Sequence, residues 1–276
     1  MPLSRLAPRA SSLSSQRPLV MGIVNVTVDS FSDGGKYIDV ARAIEHGRRL
    51  HEEGADLVDV GGESTRPGAA EVDDATELTR VIPVVEALAA DGIEVSVDTM
   101  KPAVMREAIR AGAGVVNDVN AFRAEGAIEA VARAEHVGLV VMHMQGTPAT
   151  MQKNPHYDDV VEEVLSFLAS RASCLEDAGV ARIRIALDPG FGFGKTVEHN
   201  KRLFHALPRL AALGYPVVAG LSRKKMLGDF TGRAVGDRAA ASVAAALLAV
   251  QNGASIVRVH DVSETVDALR VWTELR

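Results

Sequence analysis

A single cysteine, Cys174, stands in 276 residues, so an intrachain disulfide and any thiolate metal cluster are excluded. It reads as a small apolar helix residue, and a reducing, cytoplasmic setting is expected. Basic charge is also short: Lys and Arg number 30 against 36 Asp and Glu, giving a net charge of -6. No global field therefore draws the chain to nucleic acid or to an anionic membrane, and any anionic ligand needs a local cluster of cations. Long apolar runs are missing as well. The longest, 239–250, falls well short of the roughly 20 residues that span a bilayer. The eight His residues show no HExxH or other metal-ligand spacing, which excludes a structural zinc site.

What is present suits a soluble globular protein rather than a disordered or fibrous one: 47% hydrophobic and 24% charged residues, with a mean hydropathy of +0.09. The first residues, MPLSRLAPRASSLSSQRP, lack both acid and an apolar h-region. Their composition admits a transit peptide or a frayed tail; the second is taken, with 1–17 a disordered tail and 18–276 one domain.

Short apolar runs recur at 19–24, 57–60, 94–97, 115–116, 139–142, 183–187, 217–221 and 256–259, each of a length for a buried strand. Helix-like stretches lie between them, among them 41–53, 75–90, 101–111, 158–178, 198–213 and 237–252. Gly54, Gly92, Gly112, Gly138, Gly179, Gly214 and Gly253 stand just before apolar runs, where a helix end needs positive φ. Strand–helix alternation implies a parallel sheet, and eight repeats imply an α/β fold closed as a (β/α)8 TIM barrel; an open doubly wound sheet is the alternative.

The far ends of these runs carry Asn25, Asp59 with Glu63, Asp98, Asn117 with Asp118, His143, Asp188, Ser222-Arg223-Lys224, and Arg258 with His260. In a barrel they converge on the face where active sites lie. Asp59, Asp118 and Ser64 read instead as satisfied core polar groups or caps. DPGFGFGKT, 188–196, fails the Walker spacing and GxGxxG alike, leaving a flexible glycine loop that lets Phe193 approach a flat ligand. Arg66, in GGESTRPG, joins SRKK and RVH as a candidate anion clamp. Asp98, Asn117 and Asp188 offer acceptors to one interior, and a heterocycle with an amino group beside a ring N–H matches them. A pterin or guanine-like ring is the implied ligand.

NVTVDSFSDGG, GGESTRPG, SVDT, VNDV, VMHMQGTP, DPGFGFGKT, GLSRK and RVHDV, in this order, closely resemble the dihydropteroate synthase family from Pro18 to near the C-terminus. Val28 and Lys225 are small departures from its pattern. The resemblance implies a (β/α)8 barrel that condenses 6-hydroxymethyl-7,8-dihydropterin diphosphate with p-aminobenzoate, giving 7,8-dihydropteroate and diphosphate for folate synthesis. It implies pterin contacts at Asp98, Asn117, Met142, Asp188 and Lys224, and a diphosphate grip of Asn25, Arg66, Arg258 and His260. It places Phe31, Asp33, Thr65 and Phe193 around p-aminobenzoate, and magnesium on Asn25. Catalytic roles fall to Asp98, Lys224, Arg258 and His260, and the assembly to a homodimer, with 239–250 in its interface. The residues suggest no nucleophile with an adjacent base, which suits loss of diphosphate before attack. A pterin-dependent corrinoid methyltransferase and a non-catalytic pterin-binding paralogue are the competing readings.

Overall fold

The computed structural model describes residues 17–26, 35–65 and 68–275. Eight strands run β1 Leu19–Asn25, β2 Leu57–Gly61, β3 Val95–Asp98, β4 Val115–Asp118, β5 Gly138–Met142, β6 Ile185–Asp188, β7 Val218–Ala219 and β8 Ile256–Val259. All pairings are parallel, in the order β6-β5-β4-β3-β2-β1-β8-β7. One bridge, Leu187 to Val217, joins β6 to β7, with the Leu187 N–H donating to Pro216 O at 2.9 Å. Through that narrow seam the sheet becomes the expected barrel.

Among the described residues ten helices cover the outside: α1 Gly35–Glu52, α2 Asp74–Ala90, α3 Pro102–Arg110, α4 Ala127–Ala132, α5 Val160–Asp177, α6 Val197–His205, α7 Leu207–Ala211, α8 Lys225–Thr231, α9 Ala239–Gln251 and α10 Val262–Leu275. The expected helix over 198–213 is two. It breaks at Ala206, ahead of Pro208, whose ring lacks the N–H and clashes with the preceding turn. Gly138 does not end a helix but opens β5, whereas the other glycines named above take positive φ. Cys174 lies in α5 as expected, on its exposed side. Arg17, assigned to the tail, instead forks onto Asp56 at 2.7 and 2.9 Å. No helix among the described residues is long and apolar enough to cross a membrane.

Strand periodicity explains where the polar groups go. Met21, Leu57, Val115, Val140, Ala186, Val218 and Ile256 fill the barrel interior as a separate apolar cluster. Two residues further along, and so on the same face of the pleat, stand Asp59, Asn117, Met142, Asp188 and Arg258. The alternate residues, such as Val58, Val60, Val97, Val116, Val141 and Leu187, pack outward against the helices. A dry apolar layer thus forms the floor beneath a polar one.

The sixth apolar run behaves differently from its reading as a strand over 183–187. Residues Arg182–Arg184 form a 3-10 turn, and β6 begins only at Ile185. Arg184 is the reason. It is 6% exposed, and its guanidinium donates to the carbonyls of Val131 and Val137 at 2.9 and 2.7 Å and of Ala132 at 3.3 Å. Those oxygens belong to the end of α4 and the turn after it, where carbonyls lack helical partners and favour a cation. Arg184→Met is expected to cost about 2–4 kcal/mol by leaving buried carbonyls unpaired. Urea unfolding checks this, and a midpoint unchanged from the parent would remove Arg184 from the fold's essential contacts.

Candidate active site

The polar layer opens at the C-terminal ends of the strands into a cleft of about 310 Å³. Asp98, Asn117, Met142, Asp188, Phe193, Lys224 and Arg258 all line it. Register places Asp98 of β3 beside Asn117 of β4, with the small Gly61 of β2 on its other side. Arg258, from β8, reaches across the interior. Its Nε donates to Asp59 at 2.6 Å and its Nη2 to Asp98 at 2.8 Å. Asp59 also accepts from the Asn117 amide nitrogen at 3.1 Å. The expected reading of Asp59 as a satisfied core group holds only in part. It is fully buried, yet one of its oxygens has no partner among the described residues and the other carries two bonds to site residues. Asp118 does act as a local cap, accepting from the N–H groups of Asn120 and Phe122.

Burial pushes the Asp98 carboxyl up to about 7, against the pull of Arg258. It raises Asp188 too, although the Gly190 N–H donates to that carboxylate at 2.7 Å. Lys224 is lowered to about 8 by burial and then by the nearby Arg258. Its Nζ sits 4.2 Å from the centre of the Phe193 ring, a cation–π contact that sets both on one side of the cleft. Burial opposes the charge on Arg258, but Asp59 and Asp98 more than offset it and raise its pKa.

His260 belongs to a local relay with Ser222. The Ser222 oxygen accepts from the His260 backbone N–H at 3.1 Å and lies 3.0 Å from Nδ1 of the same ring, a second hydrogen bond whose direction follows the imidazole tautomer. Burial, with Arg258 and Arg223 nearby, lowers His260 to about 4. The ring is neutral at pH 7. This serine–histidine pair escaped the sequence reading. It is not an activated nucleophile, because the hydroxyl is buried and already engaged by the His260 backbone N–H.

The glycine loop 188–196, which its composition reads as flexible, is tied by a set of hydrogen bonds. Lys195, 3% exposed, plugs its underside and donates to the carbonyls of Gly190 and Phe193 at 3.0 Å each and to His143 Nδ1 at 2.9 Å. Tyr157 and Gln152 hold the carbonyls of Gly194 and Gly192 at 2.9 and 2.6 Å. Gly190 allows the close fold-back: its φ is +66°, and a Cβ there would meet His143 O at 1.9 Å. A buried lysine cannot be told from a surface one by sequence alone, so this staple was missed. His143, counted among the mouth residues, turns outward against Phe167 with ring centres 4.9 Å apart.

The other expected positions are more scattered. Asn25 is at the exposed end of β1, and Thr65 is half-buried on the loop after β2; neither lines the cleft. Phe31, Asp33 and Arg66 lie outside the described residues. Lys101 ties the start of that loop down, pairing with both Glu63 and the buried Glu77. Chemically the cleft is a slot with an acceptor rim of Asp98, Asn117 and Asp188, walls of Met142 and Phe193, and the basic groups of Lys224 and Arg258; His260, two residues beyond Arg258, is not part of its lining.

Comparison with known proteins agrees with that inventory. The pterin binding enzyme family matches residues 21–260. The dihydropteroate synthase of Neisseria meningitidis serogroup C is 50% identical over 263 residues, covering 94% of this chain and 93% of its own. The Xanthomonas albilineans dihydropteroate synthase structure with 4-aminobenzoic acid is 56% identical, with a TM-score of 0.88 over 94% of this chain and 93% of that one. The same enzyme in complex with 7,8-dihydropteroate gives 54% identity and a TM-score of 0.85, covering 94% of this chain and 94% of its own. The matches span every strand that contributes to the cleft, and the chain belongs to the pterin-binding enzyme family, among its dihydropteroate synthases.

Proposed function

We propose that the chain condenses 6-hydroxymethyl-7,8-dihydropterin diphosphate with p-aminobenzoate, releasing diphosphate and forming 7,8-dihydropteroate. The observation that carries this reading is the acceptor rim beside Arg258 and Lys224, which matches a donor-bearing ring and an anionic tail in one molecule. The Xanthomonas albilineans complexes with 4-aminobenzoic acid and 7,8-dihydropteroate support the same pair of substrate and product.

The ring lies between Met142 and Phe193, its amino and ring N–H groups donating to Asp98, Asn117 and Asp188 while Lys224 donates to its acceptor side. The diphosphate is received by Arg258 and the imidazole of His260, with Asn25 and Arg66 as the further partners that the family motifs assign to it. The carbon–oxygen bond breaks first, its electron pair leaving with diphosphate, and the electron-rich dihydropterin spreads the positive charge. Preorganised cations stabilise the departing charge without reorganising. The amine of p-aminobenzoate, held near Phe193, Thr65, Phe31 and Asp33, closes the new carbon–nitrogen bond and sheds a proton. Loops around it keep water from capturing the cation.

Among the described residues no group of three or more His, Cys, Asp or Glu is arranged to hold a metal ion. Magnesium is a hard cation that keeps most of its waters and takes oxygens from phosphates, and the Asn25 amide oxygen is the protein ligand proposed for it. When bound, it supplies neutralisation of the diphosphate charge. Coupled assay of diphosphate release and dihydropteroate formation, with magnesium, tests the reading. Equal yields of both are expected only when p-aminobenzoate is present, and ring binding without product would sink it.

Two further outcomes follow from the site and its surroundings. Ring capture is gained as Asp98 ionises through about pH 7 and lost as Lys224 deprotonates through about pH 8, so kcat/KM peaks between them. Lys224→Arg keeps its charge at higher pH and should erase the alkaline limb, and an unmoved limb would assign it to another group. The exposed apolar residues Phe230 of α8, Val235 and Leu248 of α9 support the homodimer reading of the Ala-rich 239–250 segment. Sedimentation at micromolar concentration should give a dimer for the parent and a monomer for Phe230→Glu with Leu248→Glu; a monomeric parent defeats it.

A further inference from the structure

We propose that Asp59, which does not touch the ligand, is a positioning residue that fixes the Asn117 amide and thereby selects a 2-amino over a 2-oxo ring. The inference rests on the ring site described under the proposed function. Asp59 is fully buried beneath the cleft and is absent from its lining. One of its oxygens, Oδ2, carries both the Asn117 Nδ2 bond at 3.1 Å and the Arg258 Nε bond at 2.6 Å.

A carboxylate beside a guanidinium only accepts hydrogen bonds. The Asn117 amide therefore has one workable orientation, nitrogen toward Asp59, since the flipped amide would set two oxygens against each other at that distance. The Asn117 oxygen, Oδ1, is buried and has no partner among the described residues. With its nitrogen committed below, this oxygen completes the acceptor rim formed by Asp98 and Asp188. An exocyclic amino group on the ring satisfies that rim, whereas a carbonyl in its place would meet another acceptor and leave buried groups unpaired. The same Asp59 oxygen also shares Arg258 with Asp98, so that ring donors do not compete for Asp98 against the full guanidinium charge.

Substitution separates the two effects. Asp59→Ala frees the Asn117 amide to turn its nitrogen toward the ligand. Asp59→Asn can keep an oxygen at the shared position, so the amide stays oriented, but the charge is gone and Arg258 falls back on Asp98. The probes are 6-hydroxymethylpterin and its 2,4-dioxo counterpart, titrated at equilibrium against parent, Asp59→Ala, Asp59→Asn, Asn117→Ala and the Asp59→Ala/Asn117→Ala double variant.

The preference for the amino ring should fall about tenfold in Asp59→Ala, by a similar factor in Asn117→Ala, and no further in the double variant. In Asp59→Asn the preference should persist while both affinities drop in parallel. A purely structural role would weaken both rings equally in every variant. Undiminished preference in Asp59→Ala, or additive losses in the double variant, overturns the proposal. If Asp59→Ala does not fold, Asp59→Leu, which also removes the acceptor while keeping the volume, takes its place, and undiminished preference there overturns the proposal. A parent that binds neither ring defeats the functional reading itself, a result distinct from ring binding whose selectivity ignores Asp59.

Discussion

Arg258 holds two carboxylates from different strands inside a barrel whose floor is apolar, and that cluster is the constraint on which the cleft depends. Asp59 comes from β2, Asp98 from β3 and the arginine from β8. Isolated, any one of these charges would be costly to bury; together they satisfy one another only while the barrel brings the three strands around a common axis. The apolar layer of Leu57, Val115, Val140 and Ile256 beneath them keeps the dielectric low. Low dielectric in turn accounts for the displaced pKa values of Asp98, Lys224 and His260. Fold and electrostatics are therefore one arrangement, since the strand closure that buries the charges also tunes them.

Around this centre the loops are tied by buried cations. Lys195 gathers the carbonyls of the β6 loop and so presents Phe193 to the cleft, while Lys101 binds the β2 loop to α2 through Glu63 and Glu77. Ser222 fixes the orientation of His260 from the neighbouring strand end, bonding both its backbone N–H and its ring Nδ1. A slot for a flat ring is served by such rigidity, because displacing a ring donor by even a fraction of an ångström weakens its hydrogen bond. The inner part of the cleft is built from strand ends and stapled loops.

Much of this was legible in the order of residues. Runs of Val, Ile and Leu separated by helical stretches mark the parallel barrel, and the polar residue ending each run marks its working face. Asp98, Asn117, Asp188, Lys224 and Arg258 were all found in that way and do share one cleft. Errors arose where a side chain's direction is set by neighbours distant in sequence. His143 follows a strand like the others but turns outward to Phe167 and Lys195, and the sixth run loses its first residues to a turn because Arg184 is recruited by α4. The glycine loop reads as flexible until a lysine is seen beneath it.

By itself the sequence determined the repeat of strand and helix, the pleat parity that puts every second strand residue inside, and the chemical identity of the polar set, because these depend on local propensity and period alone. Its ordered motifs also sufficed to place the chain in its family. Only the tertiary structure decided which polar groups face one another. Asp59 is 199 residues from Arg258 and 58 from Asn117, and no local rule links them. Barrel closure makes them neighbours, and burial then turns that proximity into a fixed amide, a shared guanidinium and a set of shifted protons.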